Sequence, residues 1–386
     1  MKTTKTVYIG KLQPSIEFVD LQQNQILNNI WNLLENGLWK DFLYDVYLEN
    51  AKSKLPIERQ LPVFPHILPI HAGFAWNSEV MRIEAIRYAP KVLNATKNSF
   101  YETAERYFRS FDGKKIGVHL SGGLDSSLIM CLLHKFGIPF VAIGLTSSRF
   151  EFRTERRIQQ VMLELTCDGE LLDINDYPFY SGLDKIEKHQ VPQDNIKMNN
   201  ASGTLAKSFV THGVQVVFTG QGGDSLLVDA PSQVIDFNIE DEFILSWERD
   251  FEYEKRGIEL HSFFADEAII DQIYNLRGNC PYAPLKRWAR SFFADILPYE
   301  LSNFTYCADY FGLSMSGLEA AKPTIKELFE ESYDITQNHI FSPTSTTKFI
   351  KTSVFDFDHD SYIDFCSKIS IAVWLHSLFR DDHENK

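Results

Sequence analysis

Apolar positions along this chain change period from two to about four, and the change repeats. Ile116, Val118 and Leu120 alternate with Lys115, Gly117 and His119, the period of a strand. Leu128, Ile129, Met130, Leu132 and Leu133 then form an apolar helical run. Downstream, 139–145 reads as a strand and 153–165 as a helix burying Ile158, Val161, Met162 and Leu165. Residues 171–174 read as a strand, 203–212 as a helix and 214–218 as a β-branched strand. A helix from near Ser99 to Phe111 precedes the series, and Asp112-Gly113 turns it into the first strand. Strands alternating with helices predict an α/β fold, a parallel sheet with helices on both faces. Ligands in such sheets bind beyond the carboxyl ends of the strands.

The flanks read differently. A short strand is expected at 7–10. Ile26, Leu27, Ile30, Trp31 and Leu34 fall on one helical face, with Gly37 as the stop, and a second helix at 39–51 groups Phe42, Leu43, Val46 and Tyr47. Pro56, Pro62, Pro65 and Pro69 mark a loop or extended connector, and Phe74-Ala75-Trp76 is apolar enough to dock on something. From about 231 the pattern is helical, with candidates at 244–253, 264–276, 285–296, 323–331 and 361–379. This divides the chain into an N-terminal region, 1–98, and a larger unit, 99–386. The helical part of the larger unit is expected to pack on the sheet and close its site.

Composition narrows the classes. The 386 residues suffice for two or three units with cores, and 44% apolar with 23% charged content is that of a globular protein. A net charge of −14 argues against nucleic acid as a partner, so an anionic ligand needs local Lys, Arg or metal. The 5 cysteines, Cys131, Cys167, Cys280, Cys307 and Cys366, are scattered and without C-x-x-C, which argues against disulfide and zinc frameworks. The start lacks an apolar stretch long enough for a signal peptide, and no apolar run could span a membrane. A cytoplasmic protein without membrane contact is the expectation.

The chemistry concentrates at Ser121-Gly122-Gly123-Leu124-Asp125-Ser126-Ser127, between the first strand and its helix. Two glycines permit a sharp turn and close approach of a ligand to the backbone. Ser126 and Ser127 offer hydroxyls and amides at a helix start, where open N–H groups and the helix dipole favour a phosphate. Asp125 adds a negative charge beside that anion site, which makes sense with Mg²⁺ between them. The Gly-Lys-Ser/Thr ending of a Walker loop is missing.

This S-G-G-x-D-S-S string resembles the pyrophosphate loop of ATP pyrophosphatases, and the whole stretch is similar to that of asparagine synthetases. Thr219-Gly220-Gln221-Gly222-Gly223-Asp224 is similar to that family's S-G-E-G-x-D-E segment. Read alone, it is better taken as a glycine-rich loop with a helix-capping Asp; paired with the first motif in this chain order, it reads as part of the same site. The resemblance implies a PP-loop fold that binds ATP and Mg²⁺. It implies nucleotide contacts at Leu120, Ser121, Gly122, Gly123, Asp125, Ser126, Ser127, Ile143, Gly144 and Gly220, and metal contacts at Asp125 and Asp224. Leu297-Pro298-Tyr299-Glu300-Leu301, continuing to Asp309-Tyr310, resembles the family's acceptor-site stretch, with Phe304 and Cys307 where basic residues are usual. Gln221 stands in place of the usual glutamate and Ser225 in place of an acid. Gln221 and Cys307 are therefore the candidate catalytic positions, although Cys307 also reads as a small buried apolar residue. Lys2 stands where the glutaminase cysteine of full-length relatives would be, so ammonia from glutamine is not expected.

The expected activity is an ATP-dependent carbon–nitrogen ligase. It would adenylate a small-molecule or peptide carboxylate, release pyrophosphate and pass the acyl group to an amine. β-Lactam synthetases and lasso-peptide macrolactam cyclases of this group act in specialised-metabolite or modified-peptide biosynthesis. A pathway partner protein or a homo-oligomer is compatible with this reading. Two rivals stand beside it: sulfur transfer through Cys307, and a nucleotide-binding pseudoenzyme. Lys286, Arg287 and Arg290 are candidates for the positive charge lacking at Cys307, or else a solvated helix face. Arg153, Arg156 and Arg157 read as phosphate contacts or as an exposed face. Asp356-Phe357-Asp358-His359-Asp360 reads as a solvated helix start rather than an EF-hand, because Ser361 replaces the required Gly.

Overall fold

The computed structural model describes residues 17–23, 25–27, 30–53, 64, 66–70, 74–77, 82–85, 91, 93–166, 168–189, 192, 196–227, 252–277, 286–302 and 311–380. The strand expected at 7–10, most of the helix expected at 244–253, and Phe304, Cys307, Asp309 and Tyr310 lie outside the described residues.

The first elements are β1 (Glu17–Asp20), β2 (Gln25–Leu27), α1 (Trp31–Glu35), α2 (Tyr44–Ser53), β3 (Ile67–Ile70), β4 (Phe74–Asn77) and β5 (Arg82–Ala85). β2 and β3 flank β1 in an antiparallel sheet, and β4 pairs with β5. The helix read through Ile26 and Leu27 is therefore a strand followed by a one-turn helix. The apolar spacing fits both, and antiparallel pairing of Ile26 with Val19 decides for the strand. Pro69 lies in the edge strand β3, where a missing N–H can face away from the ladder.

The second series runs α3 (Lys97–Arg109), β6 (Ile116–His119), α4 (Leu124–Lys135), β7 (Phe140–Thr146), α5 (Arg153–Leu163), β8 (Asp168–Asp173), α6 (Asn199–Thr211), β9 (Val216–Thr219), α7 (Gly223–Leu227) and β10 (Glu259–Ser262). Reciprocal capping between Thr96 and Ser99 starts α3, which buries Phe100, Ala104 and Phe108 at helical spacing. The five strands form one all-parallel sheet in the order β10-β9-β6-β7-β8, as the α/β reading expects. From β6 the chain builds outward through β7 and β8, then returns to lay β9 on the other side of β6. Strand order thus reverses between β6 and β9, where such sheets open a crevice.

Later helices are Glu267–Arg277, Arg287–Phe292, Phe311–Thr336, Pro343–Lys351 and His359–Phe379. The helix expected from Pro323 begins twelve residues earlier and runs through that proline. The side chain of Asp358 accepts from the Ser361 amide and caps the last helix, as the helix-start reading expects.

Two cores organise the molecule. One lies around the parallel sheet and includes Val118, Leu128, Phe209, Val217, Phe218 and Phe263. The other joins Phe18, Ile30, Leu34, Phe42 and Phe64 to Phe329, Phe365 and Trp374 of the late helices. Phe42 and Phe64 flank the buried Trp374 with ring centroids 4.9 and 6.1 Å away. The early elements up to residue 67 thus share a core with residues between 152 and 196 and with helices some three hundred residues later in the chain.

Candidate active site

Two loops meet at the carboxyl ends of β6 and β9. The Leu120 amide donates to Ile143 O at 2.9 Å, extending the ladder by one residue before the chain turns. Gly122 then takes a left-handed conformation, φ +84°, and a methyl group there would lie 2.7 Å from Glu155 O. The turn is tied internally: Ser121 Oγ and Ser126 Oγ lie 2.9 Å apart, and the Gly123 amide donates to Ser121 Oγ at 3.2 Å. Ser126 Oγ is thus engaged within the turn. Ser127 is buried, and its Oγ has no hydrogen-bond partner among the described residues. The first-turn amides of α4 have no intrahelical acceptor, the kind of helix end that suits an anion.

The glycines read as allowing ligand approach act first to bring the loops together. A methyl at Gly220 would lie 2.8 Å from Ser126 N, and one at Gly223 would lie 2.4 Å from Asp125 Cγ. The Thr219–Asp224 loop therefore packs directly on the start of α4. A methyl at Gly144 would lie 1.9 Å from Leu120 O, so the backbones of β7 and the turn can touch only through glycine. The second loop is tied down by the Gln221 amide on Thr219 Oγ1, at 3.0 Å, and by Ser262 Oγ on Gln221 O, at 2.6 Å.

These contacts bring Asp125 and Asp224 to one point, and Lys286 occupies it. Lys286 Nζ lies 2.7 and 2.6 Å from Asp125 Oδ1 and Oδ2, and 2.6 Å from Asp224 Oδ1. Asp125 and Lys286 are largely enclosed, at 17% and 14% side-chain exposure, whereas Asp224 is 84% exposed. Burial works against the Lys286 charge, but the Asp125 and Asp224 carboxylates outweigh it and hold the pKa above its usual value. A carboxylate pair that converges on one cation is chemically suited to a divalent ion. Among the described residues no group of three or more His, Cys, Asp and Glu could hold a metal. Such an ion would complete its shell with water or ligand oxygens.

Of the three basic residues near 286–290, Lys286 contacts these carboxylates. Arg290 is buried and donates to Leu301 O. Arg156 donates to Ser147 O at 2.6 Å, Arg153 lies over the exposed Phe150 ring, and Arg157 reaches Glu300 at 3.3 Å. A small cleft lies beyond β7, lined by Leu145, Thr146, Phe152, Glu155, Gln159 and Ile174. Gln159 carries no motif signal. It is buried, and its Nε2 donates to Leu120 O at 3.1 Å and Leu145 O at 2.7 Å.

No helix of the described residues is long and apolar enough to cross a membrane. Residues 105–232 match the family model described as asparagine synthase. The matched segment runs from α3 past α7 and holds both glycine loops, Asp125 and Asp224. No curated protein shows significant sequence similarity to the chain.

Proposed function

From an asparagine-synthetase-like domain at 105–232, which indicates an ATP-dependent ligase kind of enzyme, we propose an amide-forming ligase that activates a carboxylate as its adenylate. The observation that carries the reading is the convergence of Asp125 and Asp224 on one cation position at the switch point of the sheet. In this reading the synthetase part spans 99–386.

The substrate carboxylate attacks the α-phosphorus of ATP, the bond to the β-phosphate oxygen breaks, and pyrophosphate leaves. An amine then attacks the acyl carbon, AMP departs with the shared oxygen, and the nitrogen loses a proton. The amides that open α4 hold the departing phosphates, because they point beyond the strand ends and need no reorganisation. Asp125 and Asp224 would hold Mg²⁺, which would supply charge neutralisation for the leaving pyrophosphate. Leu120, Ile143 and Gly144 would line the nucleoside side. Gln221 offers an amide rather than a carboxylate to the acceptor, so it orients groups without taking a proton. A peptide or small-molecule substrate carrying both carboxylate and amine fits this altered acceptor half.

The test is pyrophosphate release from ATP, screened against carboxylates and peptides with the full-length protein. Substrate-stimulated release together with AMP supports the ligase. ATP binding without release under any substrate favours a nucleotide-binding partner protein instead.

A further inference from the structure

Asp125 and Asp224 stand at the ends of different strands, and the group joining them comes from a third segment. Lys286 lies 161 residues from Asp125 in sequence, yet its ammonium contacts both Asp125 oxygens and Asp224 Oδ1 within 2.7 Å. Its backbone is left-handed, φ 54° and ψ 41°, a conformation that a side-chain-bearing residue holds only when its surroundings impose it. The surroundings are visible. Lys286 immediately precedes the helix Arg287–Phe292, and Trp288 Nε1 of that helix donates to Leu227 O, at the end of α7, at 3.1 Å. The helix is thus moored to the same short helix that carries Asp224.

The ammonium sits where a divalent ion bound by the same carboxylates would sit, and the two cannot be there together. Resting on the ligase reading above, we propose that Lys286 is a positioning residue acting as a placeholder cation. It keeps Asp125 and Asp224 convergent before the metal binds, and it yields its place only when nucleotide phosphates arrive. Two carboxylates provide a minority of the ligands Mg²⁺ requires, so the others would come from phosphate oxygens and water. Without phosphates, a displaced ammonium would remain next to a divalent ion, with like charges in a poorly solvated site. With phosphates, it gains an anionic partner. Metal binding is therefore conditional on the nucleotide, and this pocket resists idle loading by divalent cations.

The experiment is Mn²⁺ binding to the full chain in the absence of nucleotide, followed by calorimetry or electron paramagnetic resonance. Lys286→Met should bind Mn²⁺ at least about tenfold more tightly than wild type, whereas Lys286→Arg, which keeps the charge, should stay close to wild type. Metal-free ATP binding should be weaker in Lys286→Met than in wild type. Equal Mn²⁺ affinity in wild type and Lys286→Met overturns the proposal. If Lys286→Met does not fold in metal-free buffer because two carboxylates are left facing each other, Mn²⁺ in the refolding buffer should recover it. No recovery also overturns the proposal. The nucleotide-free arm contains no ATP. A difference there without any ATP binding refutes the ligase reading alone, and ATP binding without that difference refutes the placeholder alone.

Discussion

The side-chain amide of Gln159 donates to the Leu120 carbonyl at 3.1 Å, so a residue of α5 holds the last position before the Ser121 turn. The same nitrogen reaches Leu145 O at 2.7 Å, fastening the ends of β6 and β7 to each other. Gln159→Leu keeps the volume and removes the donor from two carbonyls at the ends of buried strands. It should lower the unfolding free energy by about 1–3 kcal/mol. In the ligase reading it should also weaken ATP binding, because Leu120 leads directly into the turn. Denaturant unfolding and ATP calorimetry check both effects; a variant with wild-type stability removes the argument.

Gly144 is a sharper test of the same junction. A methyl there would lie 1.9 Å from Leu120 O, which is backbone and cannot rotate away. Gly144→Ala should force β7 and the turn apart, costing about 1–3 kcal/mol or more, as overpacking does. Thermal melting should show the loss, while Gly312→Ala, with no atom within 4 Å of the added methyl and no left-handed backbone, serves as the open-space comparison.

Asp125 and Asp224 share one cation but not one environment. Asp125 is enclosed beside Gly220 and Gly223, whereas Asp224 is 84% exposed and solvent screens its pair with Lys286. Asp125→Asn should therefore destabilise the nucleotide-free protein, and Asp224→Asn should change its stability by less than about 0.5 kcal/mol. In the ligase reading, with Mg²⁺ and ATP, both should bind nucleotide about tenfold or more weakly, since each would remove a charged metal ligand. Parallel melting and calorimetry distinguish the two; equal destabilisation would contradict the difference in burial.

His189 makes stability depend on pH. Burial, with a smaller push from Lys255, lowers its pKa from 6.5 to about 4 against the opposing Glu187 charge. The folded state thus holds the neutral imidazole while the unfolded chain takes a proton. This contribution is present in full above about pH 6.5 and is lost as pH falls towards 4, on the order of 3 kcal/mol in all. The His189 carbonyl also accepts from Trp374 Nε1 at 3.0 Å, so the loss is felt in the second core. His189→Asn should flatten the pH dependence of the melting temperature between pH 7 and about 4.5 relative to wild type; an unchanged slope would sink the assignment.

What the chain determines by itself is local. The two-to-four change of period around residues 115–135 depends on neighbours a few positions apart, and so do the glycine turns at 121–123 and 220–223. Those features sufficed for a parallel α/β sheet with two loops at its strand ends. Short elements with mixed patterns were decided elsewhere. β10 is four residues long and exists by lying parallel to β9, and Ile26 belongs to a strand because β1 is there to receive it. The glycines show the same division: sequence marks a place where the backbone must come close, and the fold says that Gly144 meets Leu120 while Gly223 meets Asp125. Lys286, Arg287 and Arg290 are alike in a sequence, three cations on one short stretch. A left-handed residue ahead of a helix moored to α7 sends the Lys286 ammonium to the two aspartates, and the buried Arg290 instead caps Leu301 O. Distance along the chain carries no electrostatics; only folding sets the few ångströms over which charges choose their partners.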